Sequence, residues 1–194
     1  HDGAKDPCCE YISIFQNWGE SAGASQAHPH LQMLALPVVP PGVQHSLDGS
    51  AAYQKQTGNC AHCDIIAEEL AAAQRLVYEN EGAIVISPYA ASHAYELRIY
   101  PRQHTPEFAA APEIQLRAVG EALLFALSRL KIRLNDPDYN LFIHTAPAKN
   151  PNLFSHYHWH IEILPKTNVL AGFDLGTGIV INPVSPESAA EFLR

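Results

Sequence analysis

Apolar and polar positions follow two different periods along this chain. YISIF (11–15) alternates as a strand with one buried face does. RLVYEN (75–80), GAIVISP (82–88) and YELRIYP (95–101) predict three antiparallel strands split by Glu-Gly and by YAASHA, and YNLFIHTA (139–146) and YHWHIEILP (157–165) predict two more. The continuous apolar run QMLALPVV (32–39) predicts a largely buried strand. Between 112 and 134 the spacing changes: Leu116, Val119, Leu123, Leu127, Leu130 and Leu134 recur at three and four, which predicts a long amphipathic helix. Proline and glycine in VPPGVQHSLDG (39–49) predict a loop, with a short helix at 51–57 after it. GNCAHCDII predicts a turn opening a helix through residue 73, and SPESAAEFLR a terminal helix with Ser185 as its N-cap. The fold class is α+β.

Two parts of the chain repeat. His28-x-His30 lies 130 positions before His158-x-His160, and YISIFQNWG precedes the first pair as YNLFIHTAP precedes the second, at an offset of 128. Both pairs run into a strand ending Leu-Pro, but only the second follows CAHC, three strands and the long helix. The repeat predicts the end of a first unit at 1–50 and a complete second unit at 51–194. Counting back 130 from Cys60 or His104 lands before residue 1, so the expectation is the back part of a longer duplicated protein. A chance match between two short motifs is the alternative.

Composition narrows the function classes. With 194 residues, 47% hydrophobic and 16% charged, the chain is globular and long enough for a sizeable core. A net charge of −8 leaves no broad basic surface for nucleic acid or an anionic membrane. An anionic substrate would have to be held locally, by imidazoles, metal ions, backbone amides and a few arginines. The longest apolar runs, such as MLALPVV, are short and broken by proline, so no membrane span is expected. HDGAKDPCCEY has no signal-peptide pattern, and four cysteines do not suggest a disulfide scaffold. A reducing cytoplasm is the expected compartment. Adjacent Cys8 and Cys9 receive no assignment.

Cys60-x-x-Cys63 at a glycine-bearing turn has the spacing of half a zinc site. His104, after the strand YELRIYP, and His158, on another strand, are the best candidates to complete it, because a sheet can bring strands together. A Cys₂His₂ set closes the tetrahedron and makes the ion structural. His62, between the cysteines, is expected to point away and be exposed. Two buried thiols beside a surface histidine are the alternative.

On an extended segment His28, His30 and Gln32 share one face. One imidazole can attack phosphorus if it is neutral and its other nitrogen is held by an acceptor. A neighbouring histidine can ligate a metal that fixes the loop. Gln32 can donate an amide N–H to a phosphoryl oxygen without delivering a proton. A histidine there would favour hydrolysis, whereas glutamine suits a nucleotidylated histidine awaiting a second acceptor. The loop GESAGAS (19–25), with Gly23 and Ser25, offers small residues, free amides and a hydroxyl for phosphate oxygens. In the tail AGFDLGTGIVINP, Gly172, Gly176 and Gly178 allow close backbone approach to a phosphate, which favours a small acceptor such as inorganic phosphate. Strand-edge histidines without chemistry are the alternative.

FQNWGESAGASQAHPHLQMLALPVVP, CAHCDI, PRQH, NLFIHTAP, HYHWHIEILP and GFDLGTGIVINP together resemble the galactose-1-phosphate uridylyltransferase family of the histidine-triad superfamily, near the branch containing plant ADP-glucose phosphorylase. The resemblance covers essentially the whole chain. It implies a histidine-triad-like antiparallel sheet with flanking helices, often in a homodimer. It implies transfer of a nucleoside monophosphate from UDP-glucose or ADP-glucose to a sugar 1-phosphate or phosphate, through a nucleotidyl-histidine. It further implies that His30 is the nucleophile and that Gln32, Ser25 and Asn17 contact the phosphates. His28 becomes a ligand of a first-repeat zinc, and Cys60, Cys63, His104 and His158 hold a second zinc. The first repeat's cysteine pair, its histidine and its base-binding part are absent from this chain. Where established uridylyltransferases place a lysine, a tyrosine and a glutamine for the sugar phosphate, this chain has Asn168, Phe173 and Val180. A hydrolase, or a catalytically inactive zinc- or nucleotide-binding fragment, is the alternative to transfer.

Overall fold

The computed structural model describes residues 8–168 and 171–194. Strands β1 (Tyr11–Trp18), β2 (Gln32–Leu36), β3 (Leu76–Glu79), β4 (Ala83–Ile86), β5 (Leu97–Pro101), β6 (Tyr139–His144) and β7 (His160–Pro165) form one antiparallel sheet, in the order β2-β1-β6-β7-β5-β4-β3. Helices α1 (Pro41–Thr57), α2 (Ala61–Ala72), α3 (Glu113–Leu134), α4 (Gly172–Thr177) and α5 (Pro186–Leu193) are accompanied by short 3-10 turns at Glu20–Ala22, Phe108–Ala110 and Pro151–Phe154.

Alternation along the strands sorts the side chains onto two faces. One face carries Val85, Leu97, Ile99, Leu141, Ile143, Ile161 and Ile163, which form the main core with Val119, Ala122, Ala126 and Leu130 of α3 and Leu193 of α5. The other face is polar at its middle. Pairing places Gln32, Phe15, Phe142, Glu162, Arg98 and Ile86 in one row across six strands. Asn17 faces Asn140 in a neighbouring row, and His144 faces His160 in another. At the β4–β5 end α2 covers this face, where Ile66 packs with Ile84, Ile86 and Tyr100.

Pairing also corrects the strand alignment between the two histidine boxes. Gln32 pairs with Phe15, and Glu162, at the matching place after the second box, pairs with Phe142. The strands therefore align one residue away from the offset that their sequences suggest. A one-residue slip reverses the face of every side chain, so Asn17 corresponds to His144 and not to Thr145. Phe15 and Phe142 also face each other directly.

Several local expectations change. The loop expected at 39–49 is helical: α1 begins at Pro41 and runs unbroken through residues 50 and 51 to Thr57. Proline at the first helical position is preorganised for a helix. Leu47, joined by Val39 and Val43, then gains burial against Ala146, Tyr157 and Phe154, which outweighs the cost of Gly42 and Gly49. β2 stops at Leu36 and is an edge strand, with Met33 65% exposed, so it is not the largely buried strand the apolar run predicts. The long helix forms as expected, but its buried line is Gln115, Val119, Ala122, Ala126 and Leu130, and Leu116 is 37% exposed. Small alanines face the sheet while Leu123, Leu127 and Leu134 flank them, partly buried. Ser185 caps α5 as expected, its Oγ accepting from Ser188 N at 3.2 Å. Part of the glycine-bearing tail is helix α4, and Gly178 (φ 72°) closes it by donating its N–H to the Asp174 carbonyl at 2.9 Å. That amide is therefore already engaged, and Gly172 and Gly176 lie inside the helix. Among the described residues no helix is long and apolar enough to cross a membrane.

Candidate functional site

Gly58, in the left-handed conformation (φ 82°), ends α1, and Cys60 then serves as N-cap of α2 with Cys63 on its first turn. Cys63 Sγ lies 3.4 Å from His104 Nδ1 and 3.5 Å from His158 Nδ1. One donor atom from each of Cys60, Cys63, His104 and His158 lies within 4.8 Å of all the others. The outer ring nitrogens determine the tautomers. His104 Nε2 donates to the Ser155 carbonyl and His158 Nε2 to the Pro101 carbonyl, both at 2.9 Å. Carbonyls only accept, so each Nδ1 presents its lone pair toward the thiols, as metal-bound histidines do. Burial, and then His104, hold His158 down to about 4, which keeps the imidazole in its neutral, ligating form. Burial, and then Cys60, push the Cys63 thiol up to about 12; a divalent cation would reverse this by stabilising thiolate. The four residues can hold a metal ion, and as a Cys₂His₂ set they would leave it no open position.

His62 departs from its expectation: it is only 8% exposed. On α2, His62, Ile66 and Glu69 recur at four and three and form the buried side of the helix. The His62 ring lies 5.0 Å from that of His160 and 5.6 Å from that of Tyr100. Burial, and then His158, hold His62 down to about 3.

The second histidine box is shut beneath this helix. His160, 5% exposed, donates from Nδ1 to the His158 carbonyl at 3.0 Å and stacks on His144 with ring centroids 4.7 Å apart. Glu162 accepts from His144 Nε2 at 2.7 Å and from Arg98 at 3.0 Å, and Arg98 also reaches buried Glu96 at 3.0 Å. Burial raises the Glu162 carboxyl, but the His144 hydrogen bond and the Arg98 charge outweigh it and hold the group down to about 2. A depressed carboxyl contributes stability that is full above its unfolded value of 4.5 and is lost as pH falls toward about 2. Glu162→Gln is therefore expected to cost on the order of 3 kcal/mol at neutral pH. In urea unfolding, the gap between this variant and wild type should close as pH drops through that window. A gap that stays constant down to about pH 3 would show that the network does not favour the anion.

The first box repeats the local geometry in the open. His30 Nδ1 lies 3.1 Å from the His28 carbonyl, with the two rings 5.7 Å apart. The carbonyl can only accept, so Nδ1 carries the proton and Nε2 presents the lone pair. His28 is exposed and His30 half-buried. Gln32 starts β2 opposite Phe15, on the face that Asn17 shares. Gly23 (φ 84°) sits beside Asn17, and a Cβ added there would lie 3.9 Å from Asn17 Nδ2. Gly19 (φ 83°) has no room for a Cβ because the Asp138 carboxyl occupies the place. Asp138 Oδ2 accepts from both the N–H and the Oγ of Ser21 at 2.7 Å, and Asn140 Nδ2 donates to Asn17 Oδ1 at 2.8 Å and to the Ala22 carbonyl at 2.9 Å. Ser25 is exposed and, with Trp18 and Gln26, lines an open cleft of 590 Å³.

Gly23 thus lies against Asn17, Gln32 stands on the same face of the sheet as Asn17, and His30 lies two residues before Gln32. His28 joins no metal-holding group among the described residues. The tail that carries Gly172, Gly176 and Gly178 is joined to the turn before β5 through Asn182, whose Nδ2 donates to the Ala91 carbonyl at 3.1 Å. Sequence reasoning missed Asp138 and Asn140, which reach the loop only because β1 pairs with β6. It also missed the Arg98–Glu162–His144 network, whose members lie on three strands.

Residues 4–193 match the family described as a domain of unknown function (DUF4921). ADP-glucose phosphorylase of Arabidopsis thaliana is 37% identical over 192 residues, covering 98% of this chain and 53% of that protein. Galactose-1-phosphate uridylyltransferase of Thermotoga maritima is 29% identical over 192 residues, covering 95% and 60% respectively. Among solved structures, the ADP-glucose phosphorylase of Arabidopsis thaliana with bound ADP-glucose matches with a TM-score of 0.89 at 37% identity, over 98% of this chain and 61% of that one. A uridylyltransferase structure matches with a TM-score of 0.91 at 31% identity, over 99% and 62%. The chain spans roughly half to three-fifths of the length of these curated relatives. The antiparallel sheet with flanking helices is the fold the resemblance implies. The chain belongs to the family described as a domain of unknown function (DUF4921), and it is a homologue of the galactose-1-phosphate uridylyltransferases.

Proposed function

We propose that this chain carries the phosphate-transfer site of a nucleotidyltransferase of the galactose-1-phosphate uridylyltransferase type. The observation that carries this reading is His30, with Nδ1 held on the His28 carbonyl, which leaves the lone pair on Nε2. Nε2 attacks the α-phosphorus of UDP-glucose or ADP-glucose. The N–P bond forms as the bond from that phosphorus to the bridging oxygen breaks, and sugar 1-phosphate leaves with the electron pair. The ring becomes positively charged, and the Nδ1–H bond to the His28 carbonyl stabilises that charge. Gln32, Ser25 and Asn17 donate to the phosphoryl oxygens. An oxygen of inorganic phosphate or of a sugar 1-phosphate then attacks the same phosphorus and the N–P bond breaks. Gln32 neither passes a proton nor activates water, which favours transfer over hydrolysis.

ADP-glucose phosphorylase chemistry is a specific second reading, supported by the 37% identity to that enzyme and by Asn168, Phe173 and Val180 at the expected sugar-phosphate positions. In this proposal Cys60, Cys63, His104 and His158 hold a structural zinc that ties α2 to the strands, in a homodimer within a reducing cytoplasm. The two-unit division at 1–50 and 51–194 belongs to the same proposal.

The test is intact-protein mass spectrometry after incubation with UDP-glucose or ADP-glucose. The mass should rise by one nucleoside monophosphate, and the adduct identifies the base. Inorganic phosphate should then discharge the adduct faster than galactose 1-phosphate does. Absence of any adduct with both nucleotide sugars would remove the transfer reading. Faster discharge by galactose 1-phosphate would return the acceptor to the established uridylyltransferase type.

A further inference from the structure

We infer that Asn140, on β6, is a positioning residue for nucleotidyl transfer, acting by fixing which end of the Asn17 amide faces the phosphate; this rests on the transfer reading above. The hydrogen bonds determine the orientation. Asn140 touches two groups, the Ala22 carbonyl at 2.9 Å and the Asn17 side chain at 2.8 Å. The Ala22 carbonyl can only accept, so Asn140 must turn its NH₂ toward it. One N–H goes to Ala22, and the second is directed at Asn17, which must answer with its Oδ1. Asn17 Nδ2 is thereby left to donate elsewhere, and it lies next to Gly23, where no side chain stands in the way.

The pairing explains why Asn140 can do this. Asn17 and Asn140 are directly opposed on neighbouring strands, so their side chains rise together on the polar face. The same NH₂ group also holds the loop at Ala22, while Asp138, two residues earlier on the chain, holds it at Ser21. The phosphate loop of the first histidine box is thus clamped by the strand that leads to the second. Without the Asn140 donor, Asn17 could turn over and present Oδ1, an electron-rich atom, to an anionic phosphoryl group.

Asn140→Asp keeps the size and removes the NH₂. Asn17 Nδ2 would then bond to the new carboxylate, and Oδ1 would face the phosphate. The measurement is the rate of adduct formation with ADP-glucose and with UDP-glucose, read by intact mass in wild type, Asn140→Asp, Asn17→Ala and the double variant. Thermal unfolding and zinc content serve as fold controls. Asn140→Asp is expected to slow labelling by about 100-fold, the usual loss when one transition-state donor is removed. Because the orienting effect of Asn140 runs through Asn17, the loss in the double variant should fall well short of the product of the two single losses, the remainder reflecting the Asn140 bond to Ala22. Lowering the pH from about 8 to about 5 should raise the ratio of Asn140→Asp to wild-type rates, since a protonated carboxyl recovers a donor. Multiplying losses in the double variant, or an unchanged rate in Asn140→Asp, would overturn the inference while leaving the transfer reading intact. Wild-type protein that takes up no nucleotide would overturn both.

Discussion

With the proposed structural zinc at Cys60, Cys63, His104 and His158, Cys60→Ser is expected to lower metal content and stability together. Serine retains a hydroxyl but loses the soft thiolate, leaving three donors where four lie within 4.8 Å of one another. Metal binding in such sites is largely folding free energy, because the unfolded chain offers no preformed set. The surroundings enlarge the effect: His158 is fully buried and Cys60 nearly so, hence donors without an ion become polar groups in a dry place. A loss of about 4 kcal/mol would lower the melting temperature by roughly 10 °C for a chain of this size. Metal content by elemental analysis and thermal unfolding, with and without chelator, check it. Full metal content and an unchanged melting temperature in the variant would remove Cys60 from the ligand set, and zinc-free wild type with the same stability would remove the site.

The largest expected effect on chemistry belongs to His30→Ala. No nucleotide adduct should form, a loss on the order of 10⁴-fold or more in labelling rate, because alanine offers no lone pair to phosphorus. Stability should change little, since His30 is half-buried on a loop before an edge strand and its polar contact is one bond to a neighbouring carbonyl. The same assay distinguishes the two boxes. His160 has the same local geometry but is buried against His144 and His62, so no phosphorus can approach it without moving α2. Burial, then His144 and His62, also hold its pKa well below the usual histidine range. An adduct that persists in His30→Ala and vanishes in His160→Ala would transfer the chemistry to the second box.

Local signals were enough for much of this protein. Cys60-x-x-Cys63 is legible because two thiolates one helical turn apart need no tertiary help to converge. His28-x-His30 is legible because a side chain bonding the carbonyl two residues back is set by the local chain alone. The strands and α3 were legible from periodicity, and Ser185 from the capping preference of its hydroxyl.

Tertiary structure decided what local signals could not. Whether Pro41–Thr57 is loop or helix depended on a surface waiting for Leu47, made of Ala146, Tyr157 and Phe154 from distant segments. The buried line of α3 shifted to alanines because the closeness of the sheet, and not the helix's own pattern, selects small side chains. His62 became buried because α2 lies on the polar face of the sheet, which the Cys-x-x-Cys spacing says nothing about. Above all, register placed Asn140 opposite Asn17 and Arg98 beside Glu162, and a single-residue slip would have turned each to the other face. By itself, then, the sequence determined the family, the two histidine boxes and four residues that can hold a metal ion. That the second box lies beneath α2, and that Asn140 meets Asn17 across more than 100 residues, were decided by helix docking and strand pairing, since such contacts exist only once the sheet forms.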